Sequence, residues 1–172
     1  MAATALELYK AQAQVLVPVV RELKAQIGEA KAHAIIRQAL GEHFRNFGKA
    51  AFGSLPEGNF GSKMHSLIDM FAAEGALDWK INKKTEEELE FTVTGCRYAE
   101  FYKALGAQDL GFMLVCSQDY PLNAGMDERA VLERPQTIMQ GQGSCKFRWY
   151  LAADKKEAES KRAAEEAKNN VW

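Results

Sequence analysis

The sequence predicts an α+β fold in which N-terminal helices pack on an antiparallel sheet of about four strands. Apolar residues recur at three- and four-residue steps over the first 75 residues, a spacing typical of helix faces. From Leu77 onward apolar and polar residues alternate, as in half-buried strands. The predicted strands form two hairpins separated by a helical pair, and hairpins pair antiparallel.

The first half of the chain is predicted to form three helices. Apolar stripes mark two helices over residues 4–52, separated at Gly28. Pro18 should kink the first helix because it removes an amide donor, and the second stripe ends near Gly48. Turn-forming residues at 53–58 predict a loop, after which a third helix is expected to be capped by Ser62 and ended by Gly75.

The second half is predicted to contain strands at residues 77–81, 88–94, 132–140 and 145–151. The turn of the first hairpin is expected at 82–85, the helical pair at 98–105 and 110–118, and an irregular segment at 121–127. We expect residues 1–151 to form a single domain. Residues 152–172 are strongly charged with almost no large apolar side chains, which predicts a solvated helix or frayed tail.

Charge and composition narrow the class of protein. The 172-residue chain has 22 basic and 23 acidic side chains, so no net field attracts nucleic acid or an anionic membrane. The N-terminus lacks signal-peptide features, and its most apolar run is interrupted by Pro18 and is too short to span a bilayer. We therefore expect a cytoplasmic protein whose partner is a small-molecule substrate; whether it forms a homo-oligomer stays open.

Four residues carry most of the chemical information: Cys96, Cys116, Asp119 and Cys145. All lie at predicted element ends, where pockets are commonly built. Cys96 is expected at a helix start, where unpaired amides lower the pKa of a thiol. Cys145 shares strand parity with Phe147 and Trp149, so its side chain is predicted to point with those aromatics toward the core.

Three interpretations of these four residues stay open on the residues alone. In the first interpretation, one thiol is a nucleophile that attacks an sp² carbon bearing nitrogen, while Asp119 or a histidine transfers protons. Alternatively, Cys96, Cys116, Asp119 and Cys145 bind zinc, since three thiolates and a carboxylate are acceptable ligands. In the third interpretation the cysteines are simply small buried apolar side chains, which is their commonest role.

Four further residues are candidates for substrate binding. Tyr98 and Trp79 suit the wall of a pocket for a flat heterocycle, and Arg97 suits a substrate carboxylate. His65 is a fourth candidate, although a histidine among apolar neighbours is more often an ordinary core residue. Arg148 lies on the opposite strand face from Cys145, so it is expected to form salt bridges or be exposed to solvent.

An ordered set of motifs over residues 77–150 resembles a known family. The motifs are TGCRYAE at 94–100, LG at 105–106 and 110–111, CSQD at 116–119, Arg134, TIM at 137–139, Gly141 and CKFR at 145–148. Together they resemble the L-2-amino-thiazoline-4-carboxylate hydrolase family, apart from Lys146, where an acidic residue is expected. Cys96, Cys116, Asp119 and Cys145 match its motif positions.

The resemblance implies a bacterial, cytoplasmic hydrolase that opens a cyclic isothiourea to N-carbamoyl-L-cysteine, which we interpret as cleavage of a C–N bond in a small cyclic amidine. The closing Gly-x-Gly-x-Cys-x-Phe strand is also similar to 4-vinyl reductase type ligand-binding domains, some of which hold zinc through cysteines. That similarity supplies the alternative, a non-enzymatic small-molecule sensor or binding domain with a structural zinc. The cofactor prediction is therefore none or zinc.

Overall fold

The computed structural model describes residues 3–168 and confirms an α+β fold. Its four strands form one antiparallel sheet in the order β1-β2-β4-β3. The strands are β1 Leu77–Lys84, β2 Glu88–Cys96, β3 Ala130–Glu133 and β4 Cys145–Leu151. The helices that precede β4 lie against one face of this sheet. The other face carries mostly polar and charged side chains, except where Ala158 of the C-terminal helix packs with Val131 and Tyr150.

Three helices precede the sheet: α1 Ala5–Ile27, α2 Glu29–Ser54 and α3 Phe60–Ala72. A capping box begins α1, in which Thr4 accepts a hydrogen bond from the Glu7 amide and Glu7 accepts one from the Thr4 amide. The helix continues through Pro18 to Ile27. Gly28, at φ +83°, then separates α1 from α2 as predicted.

One predicted boundary in this half is wrong and another is close. Helix α2 runs to Ser54, slightly past the predicted end at 52, although its apolar stripe ends near Gly48. Gly48 serves a close helix crossing instead, because a Cβ there would lie 2.2 Å from the Leu122 carbonyl oxygen. A Cβ on Gly125 would likewise lie 2.0 Å from the Arg45 carbonyl oxygen. Helix α3 is capped by Asn59 rather than Ser62, since the Asn59 side chain accepts from the Ser62 amide at 3.0 Å.

Three helices separate the two hairpins: α4 Arg97–Ala104, α5 Gln108–Leu114 and α6 Asp119–Met126. The predicted irregular segment at 121–127 is therefore mostly helical. Pro121 fits because it lies in the first turn of α6, where an amide has no partner within the helix. The fifth helix is also shorter than predicted, and a 3₁₀ turn at Cys116–Gln118 links it to α6.

Strands β1 and β3 differ most from the predicted bounds. Strand β1 continues to Lys84, so the hairpin turn lies at 85–87 instead of 82–85. Strand β3 ends at Glu133, and the remainder of the predicted strand contains a 3₁₀ turn, Ile138–Gln140. This turn closes at Gly141 with φ +91°, a conformation that favours glycine.

The C-terminal helix α7, Lys155–Lys168, is docked rather than solvated. Its Ala158 is fully buried, and Arg162 Nη1 donates to the carbonyl oxygens of Ala130 at 2.9 Å and Glu128 at 3.2 Å. The composition predicted a solvated segment because it lacks large apolar side chains, but this helix attaches through small and charged side chains instead. Residues 169–172 of the predicted segment lie outside the described residues.

The main core lies on the helix-covered face of the sheet. Leu89, Phe91 and Val93 of β2 are buried there, which confirms the predicted alternation. Phe91 stacks on Phe147 of β4, with ring centroids 4.5 Å apart and planes at 10°. Within residues 3–168 no helix has both the length and the apolar character needed to cross a bilayer.

Candidate active site

A cavity of about 80 Å³ lies between the helices and the inner face of the sheet. Most of its lining is apolar, from α1, α3 and the inward-facing residues of β4. The four residues singled out by the sequence all line it: Cys96, Cys116, Asp119 and Cys145. A mostly apolar cavity with a few convergent polar groups is the usual form of a small-molecule site.

The strongest interaction in the cavity wall is a buried ion pair between Arg134 and Asp119. Arg134, only 1% exposed, donates from Nη1 to Asp119 Oδ2 and from Nη2 to the Cys116 carbonyl oxygen at 2.8 Å. Its guanidinium carbon also lies 5.0 Å from the Tyr120 ring centroid and 5.1 Å from that of Phe147. The arginine thus ties the 3₁₀ turn, the start of α6 and strand β4 together.

Asp119 lines the cavity and uses one carboxylate oxygen in its ion pair. Oδ2 is bonded to Arg134, whereas Oδ1 has no hydrogen-bond partner among residues 3–168. The side chain keeps 28% exposure although Arg134 behind it has almost none. The cavity wall therefore contains a carboxylate that an ion pair holds in place and that stays partly accessible.

Helix α7 supports this ion pair through a hydrogen bond to the Arg134 backbone. The backbone amide of Arg134 donates to Glu165 Oε1 at 2.7 Å, and Glu165 is itself buried. Arg134 follows directly after β3, so its backbone is held by the strand on one side and by α7 on the other. The predicted tail is thus part of the support of the candidate site.

The three thiols have raised pKa values, contrary to the prediction for Cys96. That cysteine is the N-cap of α4, and its sulfur accepts from the Ala99 amide at 3.5 Å. Burial nevertheless outweighs the amides and raises the pKa of Cys96 to about 11. Burial also raises the pKa of Cys116 well above its usual range, and that of Cys145 despite an amide bond from Ile138. All three thiols are therefore protonated at neutral pH.

Burial affects the pKa values of both partners of the ion pair. It raises the pKa of Asp119 above the ordinary value for aspartate, and the neighbouring Arg134 only partly opposes this. For Arg134 burial favours the neutral form, but the charge of Asp119 more than compensates, so its pKa is raised. The result is a charged pair whose carboxylate binds a proton more readily than a solvated aspartate does.

Of the four predicted substrate-binding residues, only Tyr98 lines the cavity. Its hydroxyl donates to the Phe71 carbonyl oxygen at 3.0 Å, and its ring meets Tyr9 of α1 edge-on at 5.6 Å. Arg97 points away and pairs with Asp78 at 3.1 Å and Glu100 at 3.2 Å. The charge of Arg97 is therefore already paired with two carboxylates without a substrate.

His65 and Trp79 also lie outside the cavity lining. Their rings contact each other with centroids 5.7 Å apart, where α3 packs against β1. His65 lies within 3.7 Å of Asp69 and 3.1 Å of the Lys84 ammonium, both at the surface. Trp79 packs on Phe91, so these two residues support the core. Arg148, by contrast, forms salt bridges as predicted.

Sequence reasoning assigned no role to Arg134, although it belongs to the family-like motif set. One signal existed. Arg134 has the same parity as Leu132 in the predicted strand, which places it among inward-facing residues. A buried arginine requires a carboxylate partner, so that position pointed to an internal ion pair.

The cavity residues do not fit a zinc ion as they are placed. Within the described range 3–168, no three His, Cys, Asp or Glu side chains are grouped so as to hold a metal. Asp119, the one carboxylate of the predicted ligand set, already pairs with Arg134. A second cation beside that guanidinium would be repelled.

Comparison with known proteins gives one match that covers most of the chain. Residues 9–149 match the protein family described as L-2-amino-thiazoline-4-carboxylic acid hydrolase. This range includes α1 and therefore extends well beyond the motifs at 77–150. No curated protein matches the chain.

Proposed function

The chain belongs to the L-2-amino-thiazoline-4-carboxylic acid hydrolase family, and we propose that it opens a small cyclic amidine-like heterocycle by hydrolysis. One observation carries the proposal: the Asp119 carboxylate is held by buried Arg134 at the wall of an otherwise mostly apolar cavity. A general base needs a fixed position and a pKa closer to neutrality than a solvated carboxylate has, and Asp119 meets both conditions.

In the proposed reaction Asp119 Oδ1 accepts a proton from a water molecule as the water oxygen adds to the amidine carbon. The proton left on the added oxygen then passes to the amidine nitrogen as that oxygen becomes a carbonyl. One ring bond of the tetrahedral carbon breaks at the same time, and the departing ring atom takes the other proton back from Asp119. Arg134 keeps the carboxylate in place during both transfers. The apolar walls exclude other water and strengthen these electrostatic interactions.

The nature of the product identifies the bond that breaks. N-carbamoyl-L-cysteine keeps both nitrogens on the former amidine carbon, so its formation from a 2-aminothiazoline breaks the ring C–S bond. Breaking the ring C–N bond would give S-carbamoylcysteine instead. We therefore assign cleavage of the C–S bond to a thiazoline substrate, in place of the C–N bond expected from the sequence.

The thiols are assigned a secondary role. Since burial keeps Cys96, Cys116 and Cys145 protonated, none is a resting thiolate nucleophile. They form part of the cavity wall and act at most as weak hydrogen-bond donors. If Cys116 were the nucleophile, its proton would have to pass to Asp119 first.

The test is turnover of 2-aminothiazoline-4-carboxylate with the product identified by mass spectrometry. Asp119→Asn should lower turnover at least ~100-fold, the size typical of removing a positioned general base. The matched control is Asp109→Asn, because Asp109 lies on α5 with 68% of its side chain exposed. Equal turnover in Asp119→Asn and the control would refute the assignment of the base.

Cys116→Ser separates water attack from thiol attack within the same assay. With water as nucleophile we expect a reduction of less than ~10-fold, since serine keeps the shape of the wall. A loss of ~100-fold or more would make Cys116 the nucleophile. Saturable binding without any product would instead favour the sensor alternative.

A further inference from the structure

Two buried N–H donors in the cavity wall lack acceptors. Arg134 Nε and Trp149 Nε1 have no hydrogen-bond partner in the described part of the chain. Both residues line the cavity, and they are only 1% and 4% exposed. Buried donors are nearly always satisfied in proteins, so two of them at one cavity indicate that an acceptor belongs there.

The two donors belong to side chains that both contact Phe147 in the cavity wall. The Arg134 guanidinium carbon lies 5.1 Å from the Phe147 ring centroid, and that ring lies 5.7 Å from the Trp149 ring. Phe147 and Trp149 both face inward from β4 and line the cavity. Both unpaired donors therefore belong to the same part of the cavity wall, around Phe147.

We infer that Arg134 and Trp149 bind the carboxylate of a small heterocyclic acid. The inference rests on the proposed function and adds the residues that select its substrate. Indole and guanidinium nitrogens only donate, so their complement is a group that only accepts. Of such groups a carboxylate gains most, because hydrogen bonds to an ion are stronger than neutral ones.

Arg134 then has two tasks. Its Nη1 fixes Asp119, while its Nε contacts the carboxylate of the ligand. The heterocyclic ring would extend from that carboxylate toward Asp119 Oδ1, where the proposed proton transfer occurs. One guanidinium group thus sets both the position of the base and the orientation of the ring.

The experiment uses two ligands with aromatic rings that resist hydrolysis, 2-aminothiazole-4-carboxylate and 2-aminothiazole, with Kd measured by calorimetry. The wild-type protein should bind the acid at least ~10-fold more tightly. Trp149→Phe removes the N–H but keeps a ring, so it should weaken binding of the acid ~10- to 100-fold and leave 2-aminothiazole unchanged. Trp79→Phe, outside the cavity, should change neither Kd.

Equal affinity of the wild-type protein for the two ligands would overturn the inference, whether or not Trp149→Phe folds. So would a Trp149→Phe protein, folded by circular dichroism, that loses affinity for both ligands equally. Because neither ligand reacts, the result does not depend on turnover. Carboxylate preference without hydrolysis of 2-aminothiazoline-4-carboxylate would refute the proposed function alone.

Discussion

Arg134 and Arg148 lie close together in the sheet but in opposite environments. Arg148 projects from β4 on the charged face, keeps 39% exposure and meets Glu88 at 2.5 Å, Glu133 at 3.1 Å and Glu90 at 3.4 Å. Arg134 lies on the helix-covered side and is almost fully buried, and its guanidinium group pairs with one carboxylate among residues 3–168, that of Asp119.

The comparison shows that burial, rather than the number of partners, sets the importance of an ion pair. Water and salt reach Arg148 and screen Glu90 and Glu133, so solvent can replace these two partners, whereas the Glu88 side chain is only 11% exposed. No solvent replaces Asp119 beside Arg134, because the surroundings there are mostly apolar protein. The arginine with fewer partners is therefore the one on which both stability and the proposed chemistry depend.

The largest effect is expected from Arg134→Met, which keeps much of the side-chain volume but leaves Asp119 without its cation. The free energy of unfolding should fall by about 3–5 kcal/mol, the cost of breaking a buried pair. Urea unfolding followed by circular dichroism measures it. A loss no greater than that of Arg148→Met would show that the two environments are equivalent.

An intermediate effect is expected for the thiols on the enclosed side of the sheet. Because burial raises the pKa of Cys96 to about 11, its thiolate fraction at pH 8 should be lowered roughly 100-fold relative to the unfolded chain. Alkylation by iodoacetamide, followed at Cys96 by mass spectrometry, should slow by that factor in the folded protein and accelerate as the pH approaches 11. Equal rates in folded protein and in urea would contradict the assigned burial.

The smallest effect is expected from Arg148→Met on the exposed side. The free energy of unfolding should fall by about 1 kcal/mol or less, because Arg148 is 39% exposed and two of its three carboxylate partners are partly solvated. The loss should shrink further in 1 M salt. A salt-independent loss as large as that of Arg134→Met would mean that Arg148 is the structural arginine of this sheet.

Features that depend on local spacing were predictable from the sequence. The alternation of Leu89, Phe91 and Val93 defined β2 and its buried face, and parity alone placed Cys145 inward with Phe147. The gathering of the four candidate residues in one cavity was expected from their positions at element ends. These properties follow from the period of a strand and the order of elements, which a sequence contains.

Features that depend on packing were not predictable. Asp119 and Arg134 are 15 residues apart, and nothing between them indicates that they meet. The pKa of Cys96 was assigned the wrong direction because helix amides are visible in a sequence, whereas the burial that outweighs them is not. Helix α7 was misjudged similarly, since small residues and arginine attach it to the chain preceding β3 and to that strand.

The crossing of α2 and α6 has a consequence for engineering. At Gly48 and Gly125 the two helix backbones touch with no room for a side chain, and Asp119 begins the helix that they position. The location of the proposed base is thus encoded partly by two residues that do not line the cavity. A directed-evolution library aimed at new substrates should keep both glycines fixed and diversify apolar wall positions such as Leu67 and Val115 instead.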